Sequence, residues 1–257
     1  MANAPASSLA SLRRRIARLE RQRPAHMAPC AATGHAGIDA ALNGGLAPGR
    51  LHEAFAASAG DAAAATGFAT ALACLAAQEG PVVWLREAEA EVHGRLYGPG
   101  LAELGLDPAR LVLGVPATPL DLLRAAVDVV RCAHVAVAVI ELWRAPRPLD
   151  LTASRRLAVA AETSGVTVLL LRIAAEPAPS VAQTRWRVAA APSLALDAGA
   201  PGSSAFDLEL MRQRGGPEGL RWQVEWNRDT RTFVDAAAPL LGAVVPLAEH
   251  RPLAVGG

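Results

Sequence analysis

The chain of 257 residues carries a formal net charge of +1 and is 52% hydrophobic. This apolar content is ample for a buried core and excludes a globally disordered chain, and the near-zero charge gives no general attraction to nucleic acid or to an anionic membrane. All of the basic residues are arginine, so every mechanism that needs a lysine is excluded, including the lysine of a phosphate-binding loop and a Schiff-base lysine.

Residues 1–33 are predicted to form a basic helix and a linker. The helix carries an apolar stripe at 3-4-3 spacing, and arginines fill its other faces. Pro24 ends it. The stripe is expected either to bind a partner or a second subunit, or to pack on the chain's own core; it consists of Leu9, Leu12, Ile16 and Leu19.

Residues 34–235 are predicted to form one α/β core in which strands and helices alternate. The predicted strands are 50–55, 82–85, 112–115, 135–142 and 166–171; the predicted helices are 62–78, a stretch ending near 104, 119–131 and 152–164. This alternation is typical of a mainly parallel central sheet flanked by helices.

Three later apolar runs differ from this pattern: 194–196, 206–211 and 220–226. Gly215-Gly216-Pro217 separates the last two, which predicts an antiparallel hairpin at the sheet edge.

The C-terminal segment 236–257 is rich in proline, glycine and alanine, yet it carries clustered apolar residues, among them Leu240 and Leu241. Such a segment can bind a partner by folding or extending on it. We expect it to dock on another protein; the alternative is that it covers the sheet edge left by the terminal hairpin.

The turn from the first strand into its helix is where an α/β protein usually binds phosphate. Here it contains Gly60, Asp61 and Ala62, with no lysine. The sequence predicts that the Asp61 carboxylate caps the helix and repels phosphate from the same place. Nucleotide binding in an altered pose is the alternative.

Glu141 ends the buried run 135–140, where a magnesium-binding carboxylate would lie beside a nucleotide. Without a phosphate-binding loop, we expect it to be a rim carboxylate hydrogen-bonded to local backbone; Glu87 is ambiguous in the same way. Arginines on one rim could contact nucleic acid weakly; they are Arg144, Arg147, Arg155 and Arg156.

We expect no catalytic constellation, no cofactor and no metal site, since the histidines and serines are scattered and the three cysteines lie far apart. No apolar run reaches the roughly 18 residues that span a bilayer. The N-terminus has arginines where a signal peptide needs an apolar stretch. A cytoplasmic location without membrane contact is therefore expected.

Several motifs resemble known sequences. Segments 33–39, 42–46 and 49–53 resemble the lead-in to the ATP-binding loop of bacterial RecA, and 104–111 is similar to the segment entering RecA's next strand. Segments 59–68, 184–188 and 212–219 look like those of the ImuA family, RecA-like accessory proteins of an inducible mutagenesis cassette. SulA-type division inhibitors are a more distant resemblance.

The resemblance implies a RecA-like fold and a role in SOS-induced translesion synthesis. The implied partners are RecA itself, a Y-family polymerase-like protein and, indirectly, an error-prone replicative-type polymerase subunit. Asp61 and Ala62 replace the lysine and threonine of RecA's loop, so its ATPase activity is not carried over. The leading hypothesis is a non-catalytic scaffold. The alternatives are an ATP-dependent recombinase-like enzyme with a rebuilt loop, a DNA-binding module and a SulA-type inhibitor.

Overall fold

The computed structural model describes residues 29–78, 80–194, 200 and 202–236. Two of the predicted contact segments lie outside these residues: the N-terminal stripe that runs from Leu9 to Leu19, and the tail with Leu240 and Leu241. Both therefore stay predictions.

Nine strands form one sheet in the order β3-β2-β4-β5-β1-β6-β7-β8-β9. The strands from β3 through β6 in this order are parallel, and β6 to β9 pair antiparallel. Their bounds are β1 Leu51–Ala56, β2 Val82–Arg86, β3 Leu111–Gly114, β4 Val137–Trp143, β5 Thr167–Ile173, β6 Thr184–Ala190, β7 Ala205–Gln213, β8 Leu220–Asn227 and β9 Thr232–Asp235.

Four of the helices, α2 to α5, connect parallel strands, and α1 precedes β1. They are α1 Ala36–Ala41, α2 Ala62–Ala77, α3 Gly98–Glu103, α4 Pro119–Arg131 and α5 Leu151–Ser164. Thr118 and Asp150 cap α4 and α5, since their side chains accept hydrogen bonds from backbone N–H groups of the first turn. Short 3₁₀ turns cover Ala59–Asp61, Ala88–His93 and Pro108–Arg110.

Two apolar cores lie on the two faces of the sheet. On one face α2 packs against both the parallel and the antiparallel strands, with Phe68 edge-on to Trp186. On the other face α4 and α5 cover β2, β4 and β5 through residues such as Leu122 and Leu157. The central strands β4 and β5 are buried on both faces, as their continuous apolar runs predict.

By length and composition alone, the segment Ala59–Ala77 could cross a membrane. In the structure it forms the first 3₁₀ turn and α2, and nine of the helix's sixteen residues are buried against the sheet. The alanine-rich sequence thus serves close helix-to-sheet packing, because small side chains let the helix approach the strands.

The antiparallel part is longer than the sequence predicts. The hairpin of 206–211 and 220–226 is confirmed as β7 and β8, but β9, which was not predicted, forms the sheet edge. The apolar run 194–196 does not form a strand at Leu194, its one residue that the structure describes. The strand is instead β6, where arginines alternate with buried residues as in a half-buried strand.

Candidate functional site at the carboxyl ends of the central strands

A cleft of about 870 Å³ lies at the carboxyl ends of β2 and β4. The first turn of α2 forms one wall, the segment 93–104 a second, and the segments 202–204 and 226–229 a third. Open α/β sheets usually bind their ligands at this end of the strands, so this is the candidate site.

The strand-to-helix turn borders the cleft, and in it the prediction that the Asp61 carboxylate caps the helix is wrong. Its carboxylate makes no capping hydrogen bond to α2. It accepts one from the Ser58 hydroxyl at 2.6 Å and one from the backbone N–H of Ala190 at 2.9 Å. These two bonds lower the pKa of Asp61. The carboxylate thereby links the turn to Ala190 at the end of β6, a strand that was not predicted from the sequence.

The turn shows no close backbone approach that would require its glycine. A Cβ atom added to Gly60 would meet only the Ser58 hydroxyl, at an ordinary contact distance of 3.5 Å. A glycine that cradles phosphate usually has a left-handed conformation or admits a ligand too close for a side chain. Gly60 does not have the left-handed conformation, and no protein atom approaches it too closely for a side chain.

Glu141 lies on the floor of the cleft, and the prediction of a rim carboxylate bonded to backbone is wrong. It is buried and accepts hydrogen bonds from three side chains. The donors are the indole N–H of Trp84 at 3.0 Å, the Arg86 guanidinium at 3.1 Å and the indole N–H of Trp143 at 2.9 Å. Three donors therefore take up most of the roughly four acceptor sites of this carboxylate.

Arg86 is the central cation of this floor. It is buried at the end of β2, and besides Glu141 it pairs with Glu91 at 3.0 Å. It also donates to the backbone oxygens of Ala90 and Gly94. The guanidinium therefore fixes the 3₁₀ turn that follows β2 to the strand end of β4.

Two further side chains, those of Glu87 and His93, contact Trp143 beside this floor. Glu87 accepts a hydrogen bond from the backbone N–H of Trp143 at 2.6 Å, and burial raises the pKa of Glu87. The imidazole of His93 stacks on the Trp143 indole with ring centroids 4.1 Å apart. His93 and Trp143 both line the cleft together with Glu141.

The four arginines of the predicted nucleic-acid rim are exposed. Arg144 and Arg147 lie in the loop after β4, and Arg144 forms an ion pair with Glu89 at 2.8 Å. Arg155 and Arg156 lie on the first half of α5. Their contact with nucleic acid stays a prediction.

A second buried charge cluster lies on the α5 side of the sheet and was missed from the sequence. Glu53 pairs with Arg185 at 2.7 Å, and the guanidinium groups of Arg172 and Arg185 lie 5.6 and 5.2 Å from the ring centre of Phe55. Burial lowers the pKa of Arg172. The sequence signal that could have revealed the cluster is Glu53, a charged residue inside the buried strand β1.

No family model matches the chain. Two curated relatives, both named Protein ImuA and both from Caulobacter vibrioides (strains NA1000 / CB15N and ATCC 19089 / CIP 103742 / CB 15), are 34% identical to it, covering 74% of this chain and 81% of theirs. Among solved structures, that of the RadB recombinase matches with a TM-score of 0.54 at 17% identity, covering 80% of this chain and all of the other. This likeness shows the fold alone, and it confirms the predicted RecA-like architecture.

Proposed function

Because this chain belongs to the ImuA family, we propose that it is a RecA-like accessory protein of SOS-induced translesion synthesis that acts through contacts with other proteins and hydrolyses no nucleotide. Its proposed partners are RecA and a Y-family polymerase-like protein, with an error-prone replicative-type polymerase subunit reached indirectly. The proposed location is the cytoplasm.

The observation that carries the non-catalytic part is the position of the Asp61 carboxylate. It lies in the turn before α2 and is held there by Ser58 and Ala190. A phosphate placed at this turn would meet a negative charge instead of a lysine ammonium, and the chain has no lysine that could replace it. The residues of the turn therefore do not fit a nucleoside triphosphate.

The floor of the cleft supports the same proposal. A magnesium–nucleotide complex needs carboxylate oxygens that are free to bind the metal or its water ligands. The oxygens of Glu141 already accept three hydrogen bonds, and the charge of Arg86 neutralises it. Arg86 thereby supplies the positive charge that a bound cation would bring to Glu141.

The protein-contact part rests on the family and on the predicted N-terminal stripe. An isolated helix of about 15 residues is marginal in water, so its apolar face is expected to pack on another surface. We propose that this surface belongs to RecA or to the polymerase-like partner, and not to the chain's own core.

We expect replacement of Leu12 and Ile16 with aspartate to weaken binding to one of these two purified partners at least tenfold, which corresponds to about 1.4 kcal/mol. The melting temperature should fall by less than about 2 °C, because a stripe that packs on a partner contributes little to the isolated fold. Biolayer interferometry with each partner and a thermal melt measure the two effects.

The matched control places the same two charges on the opposite side of the predicted helix, as Ala10→Asp with Ala17→Asp. It should bind like the unmodified chain. If neither partner binds the unmodified chain, the proposal of a contact protein fails. A large loss of stability in the Leu12 and Ile16 variant would show that the stripe belongs to the core.

A further inference from the structure

The two edges of the sheet are finished differently. At the β9 edge, the backbone N–H of Phe233 donates to the carbonyl oxygen of Thr33 at 2.8 Å, and the imidazole of His35 contacts the Asp235 carboxylate at 2.9 Å. The segment before α1 therefore covers this edge. Within the described part of the chain, β3 at the other edge pairs with β2 alone.

The free edge also exposes aliphatic side chains on both faces of the sheet. Val112 is 58% exposed and lies in register with Val83 on the α4 side. Leu113 is 46% exposed and lies in register with Trp84 on the α2 side. Val115 and Leu120 extend the exposed apolar surface along the chain.

Proteins normally protect edge strands by keeping them short, or with charges, proline or a covering segment. β3 is short, with four residues, but its sequence, Leu-Val-Leu-Gly, offers neither a charge nor a proline. One additional strand beside β3 would pair its outer backbone groups and would bury Val112 and Leu113 together, because neighbouring strands cover both faces. An extended segment that carries apolar side chains on both of its faces would therefore fit this edge.

We propose that β3 binds residues 240–247 of a second copy of this chain as an additional strand. This segment reads Leu-Leu-Gly-Ala-Val-Val-Pro-Leu and contains no charged residue. Leu241 and Val245 would lie on one face of the added strand, with Leu240 and Val244 on the other. Both exposed sides of β3 would therefore be covered.

The length of the chain requires a second copy. Nine strands leave eight spacings of about 4.8 Å, so β9 lies about 38 Å from β3. Leu240 follows Asp235, the last residue of β9, by only five residues and can reach at most about 18 Å from it. The segment cannot extend along its own β3, whereas the β3 of another copy is within reach.

This contact is heterologous, because each copy would offer one tail at the β9 side and one free edge at the β3 side. Such contacts continue head-to-tail into rings or open filaments. Self-association of this kind is independent of the proposed role in translesion synthesis, and either proposal can fail alone.

Sedimentation velocity of the full chain from about 1 µM to about 100 µM tests the proposal, since contacts of micromolar affinity populate dimers in this range. Two variants each remove one side: Val112→Glu in the edge, and Val244→Glu with Val245→Glu in the tail. The control is Val159→Glu, because Val159 is 56% exposed on α5, away from the edge. We expect the unmodified chain and the control to associate with rising concentration, and both variants to remain monomers.

An equimolar mixture of the edge variant and the tail variant is the sharper test. Each lacks one side, so the mixture should form a dimer and nothing larger. Monomeric unmodified chain at the highest concentration, variants that associate normally, or a mixture that stays monomeric would each overturn the proposal. If the edge variant does not fold, fluorescence anisotropy of a labelled peptide of residues 238–249 with the tail variant replaces the mixture, and absence of binding overturns the proposal.

Discussion

Replacing Glu141 with leucine is expected to lower the free energy of unfolding by about 3–5 kcal/mol. The substitution leaves the buried Arg86 guanidinium without its partner in β4, and it leaves the indole N–H groups of Trp84 and Trp143 without an acceptor. A buried donor that loses its acceptor costs most of its desolvation free energy. Urea denaturation followed by circular dichroism measures the change.

The matched control is Glu89→Leu. Glu89 also pairs with an arginine, Arg144, but both side chains are more than half exposed, so the expected loss is less than about 1 kcal/mol. The double variant Arg86→Leu with Glu141→Leu should lose less than the sum of the two single variants, because it removes both charges of one pair. A loss below about 1 kcal/mol for Glu141→Leu would mean that this carboxylate is free for another role.

Acidification from about pH 7 to pH 4 is expected to cost about 3 kcal/mol of stability through His52 alone. His52 is buried beside β6, where its ring bonds the Thr184 hydroxyl and the Ala47 carbonyl oxygen, and burial lowers its pKa from 6.5 to about 4. Between these two pKa values the unfolded chain binds the proton and the folded chain does not. Stability is therefore complete above pH 6.5 and falls as the pH approaches 4.

The measurement is urea denaturation at several pH values for the unmodified chain, for His52→Asn and for His93→Asn. Asparagine can donate and accept hydrogen bonds but does not titrate, so His52→Asn should lose the part of the pH dependence that comes from His52. His93→Asn is the control for the same exchange outside the core, because His93 is exposed on the cleft wall. Equal pH dependence in all three proteins would contradict the assignment.

The fold could be predicted to a large extent because its signals are local. Continuous apolar runs predicted β4 and β5, and the proline that opens α4 and the alternation of elements predicted the parallel sheet. β6 could not be predicted in the same way, because Arg185 and Arg187 interrupt its apolar pattern. Its arginines lie on the same face of the sheet as α4 and α5, but beyond the strands β2, β4 and β5 that these helices cover, and this is known only once the strand order is known.

The site was harder to predict because its contacts join distant residues. The sequence indicated that Asp61 and Glu141 stand where a nucleotide site would be. It could not show that Asp61 bonds Ala190, 129 positions away, or that Arg86 lies against Glu141, 55 positions away. Side chains at the ends of neighbouring parallel strands meet through register, and a single sequence contains no register.

Titration calorimetry of the full chain with magnesium–ATP tests the central claim most directly. Because Asp61 lies in the turn and Arg86 pairs with Glu141, we expect no saturable heat at ATP concentrations up to about 1 mM. A dissociation constant of about 1 mM corresponds to a binding free energy of only roughly −4 kcal/mol. RecA, titrated in the same buffer, serves as the control for active nucleotide. Saturable binding in the micromolar range, lost when Gly60 or Glu141 is replaced, would contradict the account and would identify the cleft as a working nucleotide site.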